Sequence, residues 1–234
     1  MTRLWSFDLD GVLAEPPFGW NPAINRDVGL LPDPDADQPI VDAGQLSDRL
    51  LAATWYRFRY VLRPPRPGAL QAVKLASVQG RVIILTGRHE RGRRQTEAWL
   101  ADHGFAAYVD ELVMNATPLK SARYKEAYLH GREATLHIDD DAATVAFLAR
   151  CGIPAALVAW PRNRNLEYPL GVTFCEDMSD VYSLIERIAP DDLTRGDQRQ
   201  RAGGMEPTER RSAIRRRFWP CRRARGSENA GAVA

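Results

Sequence analysis

The sequence predicts an α/β domain built on a doubly wound parallel sheet. Three observations carry that reading. Short aliphatic runs alternate with segments of helical spacing, several of those runs are apolar without a break and so suit strands buried on both faces, and glycines or polar clusters punctuate the junctions. With 234 residues and 44% hydrophobic composition, the chain can bury one full core and carry an appendage, whereas two large domains would be cramped.

Each element has its own signal. Residues 3–9 alternate and run into Asp8-Leu9-Asp10-Gly11, which reads as a strand entering a tight turn. Residues 14–42 are rich in Pro, Asp, Asn and Gly and predict an irregular excursion. Leu46, Leu50, Leu51, Trp55, Phe58 and Leu62 then recur at helical spacing until Arg63-Pro64-Pro65 stops the helix. Pro67-Gly68 opens a helix through Val78, and residues 81–85 form a buried strand ending at Thr86-Gly87-Arg88. The alternation continues with a helix over 94–103, a strand over 111–114, a helix over 119–129 and a strand over 134–138 that delivers Asp139-Asp140-Asp141. A helix to Arg150, strands over 155–159 and 172–174, and a helix over 180–188 complete it. Residues 191–234 have few apolar positions and no period, so they are expected to be a disordered tail following a domain of residues 1–190.

The net charge of +2 conceals a division, because residues 195–234 hold eleven arginines against four acids. That tail could bind nucleic acid through counterion release, or be an extension without function. Only three of the 32 basic residues are lysines, namely Lys74, Lys120 and Lys125, so in a chain that otherwise uses arginine each lysine invites a specific explanation. Cys151, Cys175 and Cys221 are widely spaced and show neither a disulfide framework nor a zinc pattern. No apolar run is long enough to span a bilayer or resembles a signal peptide, so the expectation is a cytoplasmic protein with no membrane partner.

In an open parallel sheet, ligands bind beyond the carboxyl ends of the strands. Three predicted strands place Asp8 and Asp10, Thr86, and Asp139 and Asp140 at that edge. Carboxylates crowded there repel one another unless a counter-ion joins them, and an all-oxygen site suits Mg²⁺. Asp8 and Asp10, two residues apart, can divide labour, one attacking phosphorus while the other moves protons.

Asp8-Leu9-Asp10-Gly11-Val12, Ile84-Leu85-Thr86-Gly87-Arg88, a lysine, and Ile138-Asp139-Asp140 resemble, in order, the four motifs of the haloacid dehalogenase superfamily over residues 1–190. The resemblance implies a Rossmann-like fold, a phosphatase and an aspartyl-phosphate intermediate. On it, Asp8 is the nucleophile and a Mg²⁺ ligand, and Asp10 is the general acid/base whose carbonyl also binds the metal. Thr86 and Gly87 hold the phosphoryl group, and Asp139 and Asp140 bind the metal, one directly and one through water. An acid at position 10 matches the phosphatases of the superfamily, since ion-pumping members have Thr there and the dehalogenases lack it. Lys120 and Lys125 compete for the third motif, and Lys120 is favoured because it stands at the start of its helix, nearer the catalytic edge. Asp141 fits a helix N-cap.

Residues 14–63 occupy the place where the superfamily inserts a cap, here small and mainly irregular or helical. A partly covered cleft would admit a bulky substrate. The Thr-Gly-Arg loop and the basic residues after it are similar to the phosphatase domains of polynucleotide kinase and RNA-repair proteins, and the first and last motifs to those of deoxyribonucleotidases. The expected partner is therefore a phosphorylated nucleotide or nucleic-acid end. A small-metabolite phosphatase, acting for example on a sugar phosphate, is the nearest rival, and a non-catalytic phosphate- or nucleic-acid-binding module stands outside that class. Arg88, with His89, Arg91, Arg93 and Arg94, either contacts substrate or forms a solvated helix start. Trp55, Tyr56, Phe58 and Tyr60 read as a core face before a base-stacking one, and His137 as a core histidine.

Overall fold

The computed structural model describes residues 3–17 and 62–188. The predicted helix over 46–62, most of the 14–63 insertion and the whole tail over 191–234 lie outside the described residues. Six strands form one sheet: β1 (Arg3–Phe7), β2 (Gly80–His89), β3 (Glu111–Asn115), β4 (Leu136–Asp139), β5 (Ala155–Val158) and β6 (Val172–Cys175). Their order is β3-β2-β1-β4-β5-β6, and every pairing is parallel. The sheet thus grows outward in both directions from the β1–β4 pair. That pair is the topological switch point, where an open α/β sheet leaves a crevice beyond its carboxyl ends.

Among the described residues, four α-helices connect the strands, α1 (Ala69–Gln79), α2 (Arg93–Asp102), α3 (Ser121–Leu129) and α4 (Ala142–Arg150), and a fifth, α5 (Met178–Ile188), follows β6. α1 packs on α5, and α3 on α4. Parity decides which strand residues meet which pair. Leu4 of β1, Ile83 and Leu85 of β2, and Ala155 and Leu157 of β5 share a buried cluster with Tyr124 and Leu129 of α3 and Val145 and Leu148 of α4. Side chains alternate across a strand, so Ser6 and the residue two beyond it, Asp8, are directed to the α3 side with Leu4. That parity brings β1 within reach of α3.

Two differences from the sequence reading have local causes. β2 runs on through Thr86, Gly87 and Arg88 to His89, with an irregularity in its pairing to β3 between Thr86 and His89. The polar residues that suggested a loop are a strand extension, which keeps Thr86 buried. β4 begins at Leu136, two residues later than expected; just before it, Thr135 N donates to Leu4 O and Thr135 Oγ1 accepts from Leu4 N, so a side chain takes the place of a ladder carbonyl. The stems of the insertion are joined: Glu15 N donates to Pro64 O at 2.9 Å and Arg66 N to Leu13 O at 2.8 Å, with Ala14 bridged to Pro65. No helix among the described residues is long and apolar enough to cross a membrane.

Candidate active site

Asp8 follows β1 and Asp139 closes β4, so the two carboxylates meet at the switch point, where Asp8 N also donates to Ile138 O at 2.8 Å. Asp140 comes next in the chain. Asp8, Asp139 and Asp140 are all buried, and each offers a carboxylate oxygen within 4.8 Å of the others. Gly11 makes that approach possible. It has φ +85°, and a Cβ there would lie 2.2 Å from Asp140 Oδ2, so both the left-handed backbone and the missing side chain are required.

Lys125 balances two of the acids. Its Nζ lies 2.9 Å from Asp8 Oδ1 and 2.7 Å from Asp139 Oδ2. The sequence favours Lys120, whereas Lys120 is the half-buried N-cap of α3 and the ammonium bridging the carboxylates belongs to Lys125. Ala122, Lys125 and Leu129 lie three and four residues apart on the buried face of α3. From there the long lysine stem passes through the core to the strand ends. Closeness to the edge in sequence mattered less than facing the sheet.

Asp139 is surrounded by donors. Oδ1 accepts from Asp140 N at 2.8 Å and Asp141 N at 3.0 Å, while Oδ2 accepts from Lys125 and lies 3.1 Å from His137 Nε2. His137 is a core histidine as expected, yet it also supports the site, because Ser6 Oγ lies 2.8 Å from its Nδ1. A neutral ring donating from Nε2 and accepting at Nδ1 satisfies both contacts. Burial lowers the His137 pKa, although Asp139 works in the opposite direction.

Asp140 is held by the loop after β5. Arg162 Nη2 lies 3.0 Å from its Oδ2, and Asn163 Nδ2 donates to its carbonyl and to Val158 O, both at 3.0 Å. Asp141 caps α4, its Oδ2 accepting from Thr144 N at 3.1 Å and Thr144 Oγ1 at 2.6 Å.

The titration of the three acids reflects their crowding. Burial raises Asp8 to about 7, with Lys125 opposing and Asp139 and Asp10 adding to the rise. Burial also raises Asp140 well above the ordinary carboxylate range, against the pull of Arg162. Asp139 is buried too, but Lys125 and His137 outweigh desolvation and hold it below that range. Burial by itself would lower Lys125; Asp139 and Asp8 reverse this and raise it. A divalent cation would offset the burial and the mutual repulsion that raise Asp8 and Asp140. The oxygen-only donor set fits a hard ion such as Mg²⁺ better than zinc, which favours nitrogen and sulfur.

Asp10 lies apart from this group. Its carboxylate accepts two hydrogen bonds from Arg88, Nε to Oδ2 at 2.7 Å and Nη2 to Oδ1 at 2.6 Å, and Arg63 Nη1 stands 3.0 Å from Oδ1. Arg88 is thus an orienting partner of Asp10, anchored further by Thr96 Oγ1 at 3.2 Å. Arg63, expected only as part of a helix stop, is buried, and its carbonyl accepts from Trp99 Nε1 at 2.7 Å. Thr86 Oγ1 accepts from Arg88 N at 3.3 Å. Exposed Gly87 leaves room for Ser121, whose Oγ would lie 2.9 Å from a Cβ at that position.

Arg66 and Trp160 complete the turn after β1 by donating to Gly11 O at 2.7 and 2.8 Å, with the Arg66 guanidinium stacked 4.7 Å over the Trp160 ring. A cleft of about 520 Å³ opens beside Arg66, lined by Glu15, Gln71, Asp177, Met178 and Tyr182. Arg63, Arg66, Trp160, Arg162 and Asn163 were not legible as site residues. The available signal was positional: residues 160–163 follow a strand at the same edge, and Arg63 and Arg66 flank the return from the insertion.

The sheet and its flanking helices share their fold with solved haloacid dehalogenase-like hydrolases. A haloacid dehalogenase-like hydrolase from Streptococcus pneumoniae is similar with a TM-score of 0.55 and 14% identity, over 78% of this chain and 98% of that one. L-2-haloacid dehalogenase from Xanthobacter autotrophicus is similar with a TM-score of 0.54 and 14% identity, over 80% and 99%. No family model matches the sequence, and no curated protein does.

Proposed function

We propose that this protein is a Mg²⁺-dependent phosphomonoesterase that works through an aspartyl-phosphate on Asp8. The observation that carries the reading is the meeting of Asp8, Asp139 and Asp140 with Lys125 at the switch point. The fold hosts more than one hydrolytic chemistry, so the choice rests on these residues. Asp10 favours a phosphatase over a dehalogenase, because hydrolysis of a phosphate ester needs a second group to protonate the leaving oxygen.

Asp8, Asp140 and the Asp10 carbonyl would hold the ion, with Asp139 engaged by its four donors and acting on the ion through water. Bound Mg²⁺ supplies positive charge to the phosphoryl oxygens and keeps the nucleophile ionised. Asp8 attacks phosphorus in line with the ester oxygen, whose departure Asp10 assists with a proton. Lys125 stabilises charge on Asp8 and the transferring group, and Thr86 with the Gly87 backbone orients it. In the second half-reaction Asp10 accepts a proton from the attacking water. Arg88 and Arg63 offer only donors, so they orient Asp10 by occupying its carboxylate oxygens, and at least one of these contacts must open before that oxygen carries a proton.

For the substrate, we favour a phosphorylated nucleotide or nucleic-acid end. Exposed His89, Arg91 and Arg94 directly after the Thr86-Gly87-Arg88 strand support a polyanionic ligand.

The test is phosphate release from an aryl phosphate with Mg²⁺, followed by a panel of 3′- and 5′-phosphorylated nucleotides and oligonucleotides beside sugar phosphates. Asp8→Asn should lower turnover on the order of 10³-fold or more. Normal turnover in that variant would end the mechanism, and turnover of sugar phosphates alone would end the nucleotide assignment.

A further inference from the structure

We propose that Arg162 sets the affinity of this site for its divalent cation, by occupying the Asp140 carboxylate that the ion must claim. The inference rests on the metal-dependent reading above but concerns a residue outside the motifs.

Among the described residues, Lys125 and Arg162 are the lysine and arginine that form ion pairs with the acid cluster. Lys125, with its side chain 2% exposed, is enclosed and serves Asp8 and Asp139 together. Arg162 serves Asp140, with Nη2 at 3.0 Å from Oδ2 and 3.3 Å from the carbonyl oxygen, and its side chain is 19% exposed. Lys125 cannot leave without stranding two buried charges. Arg162 sits on the solvent side and can swing outward as an ion arrives.

The donors on the acids point the same way. Asp139 has both oxygens committed to Lys125, His137 and two backbone amides, which leaves Asp140 as the carboxylate of that pair available to a metal. Its contact with Arg162 is therefore in direct competition with coordination. Asn163 holds the Asp140 backbone from the same loop without charge, so the loop can keep its place while the guanidinium moves. Without Arg162, Asp140 would be a buried carboxylate beside two others, a costly arrangement that cation binding relieves. The apo protein and the metal complex should thus respond in opposite directions to loss of this arginine.

The experiment is calorimetric titration of the full chain with Mg²⁺ alone, beside thermal melting in chelator and in saturating Mg²⁺. Arg162→Gln is expected to bind Mg²⁺ about tenfold more tightly than the parent, the range expected for removing a partly buried competing pair. Its melting point in chelator should fall, while the rise produced by Mg²⁺ grows. Arg162→Lys keeps the charge with a shorter reach and should bind with intermediate affinity, and it decides the matter if the Gln variant does not fold. Unchanged or weaker Mg²⁺ binding in the folded variants would overturn the inference and make Arg162 an orienting group instead. If the parent protein itself binds no Mg²⁺, the metal-dependent reading fails and takes this inference with it.

Discussion

Lys125 carries an unusual electrostatic duty for one side chain. It is buried between two acids, and removing it would leave Asp8 and Asp139 facing each other across a site that burial already pushes toward protonation. Lys125→Met is expected to destabilise the fold by roughly 3–5 kcal/mol, the usual cost of removing one partner from a buried ion pair. It should also lower turnover about a hundredfold or more, because charge on the transferring phosphoryl group loses its nearest fixed cation. Lys120→Met should change stability little. Urea denaturation and steady-state kinetics of the two variants check this, and the reverse ranking would restore Lys120 to the motif. The sequence did contain the clue. A lysine in step with Ala122 and Leu129, in a chain that otherwise prefers arginine, is an exception on an apolar stripe. Distance along the chain from the strand end was the weaker guide, since a helix presents one face to the sheet and residue 120 precedes its first turn.

At the scale of elements, the joined stems of the insertion matter most. Leu13 to Glu15 pair with Pro64 to Arg66, so the chain leaves and re-enters the core at one point. Replacing residues 18–61 by a short Gly-Ser linker is therefore expected to preserve a cooperative thermal transition and Mg²⁺ binding, because loop-closure entropy changes slowly with loop length. Substrate KM should rise if those residues contribute to binding the leaving group. Circular dichroism and Mg²⁺ titration are the checks, and loss of the folded core would show that the insertion is needed for more than recognition. Arg63 adds a mechanical link, since it stands in the returning stem and touches Asp10. Nothing in its local pattern, an arginine before two prolines, distinguished that role from a simple helix stop. Only the closing of the stem brings it to the acid.

For the molecule as a whole, the crowded acids couple stability, pH and metal. An acid whose folded pKa is raised binds more protons in the folded state than in the unfolded one between the two values, so its contribution to stability declines as pH rises through that window. For Asp8 the window runs from its ordinary value of 3.8 to about 7, and Asp140 shifts in the same direction. Asp139 is lowered, so its stabilising contribution is present above its unfolded value and is lost as pH falls through the folded one. Mg²⁺ binds the ionised carboxylates and must displace the protons held below pH 7. The rise in melting temperature on adding Mg²⁺ should therefore be larger at pH 8 than at pH 5. Melts in chelator and in Mg²⁺ at both values test it, and equal shifts would mean that the acids take up no protons in the ion-free protein.

The order of strands and helices from residue 67 onward, the parallel sheet, and the acids and threonine at its carboxyl edge were readable along the chain, because aliphatic runs, glycine punctuation and polar strand ends are local properties. The cap over α4 was equally local, with Asp141 three residues before Thr144. Tertiary structure decided which lysine enters the site, that Arg88 and Arg63 grip Asp10, and that Arg162 and Asn163 hold Asp140. Those contacts join residues from 14 positions apart, Lys125 and Asp139, to 117 apart, Lys125 and Asp8, and their partners are chosen by which faces the packed helices and returning loops present, a choice that no single segment encodes.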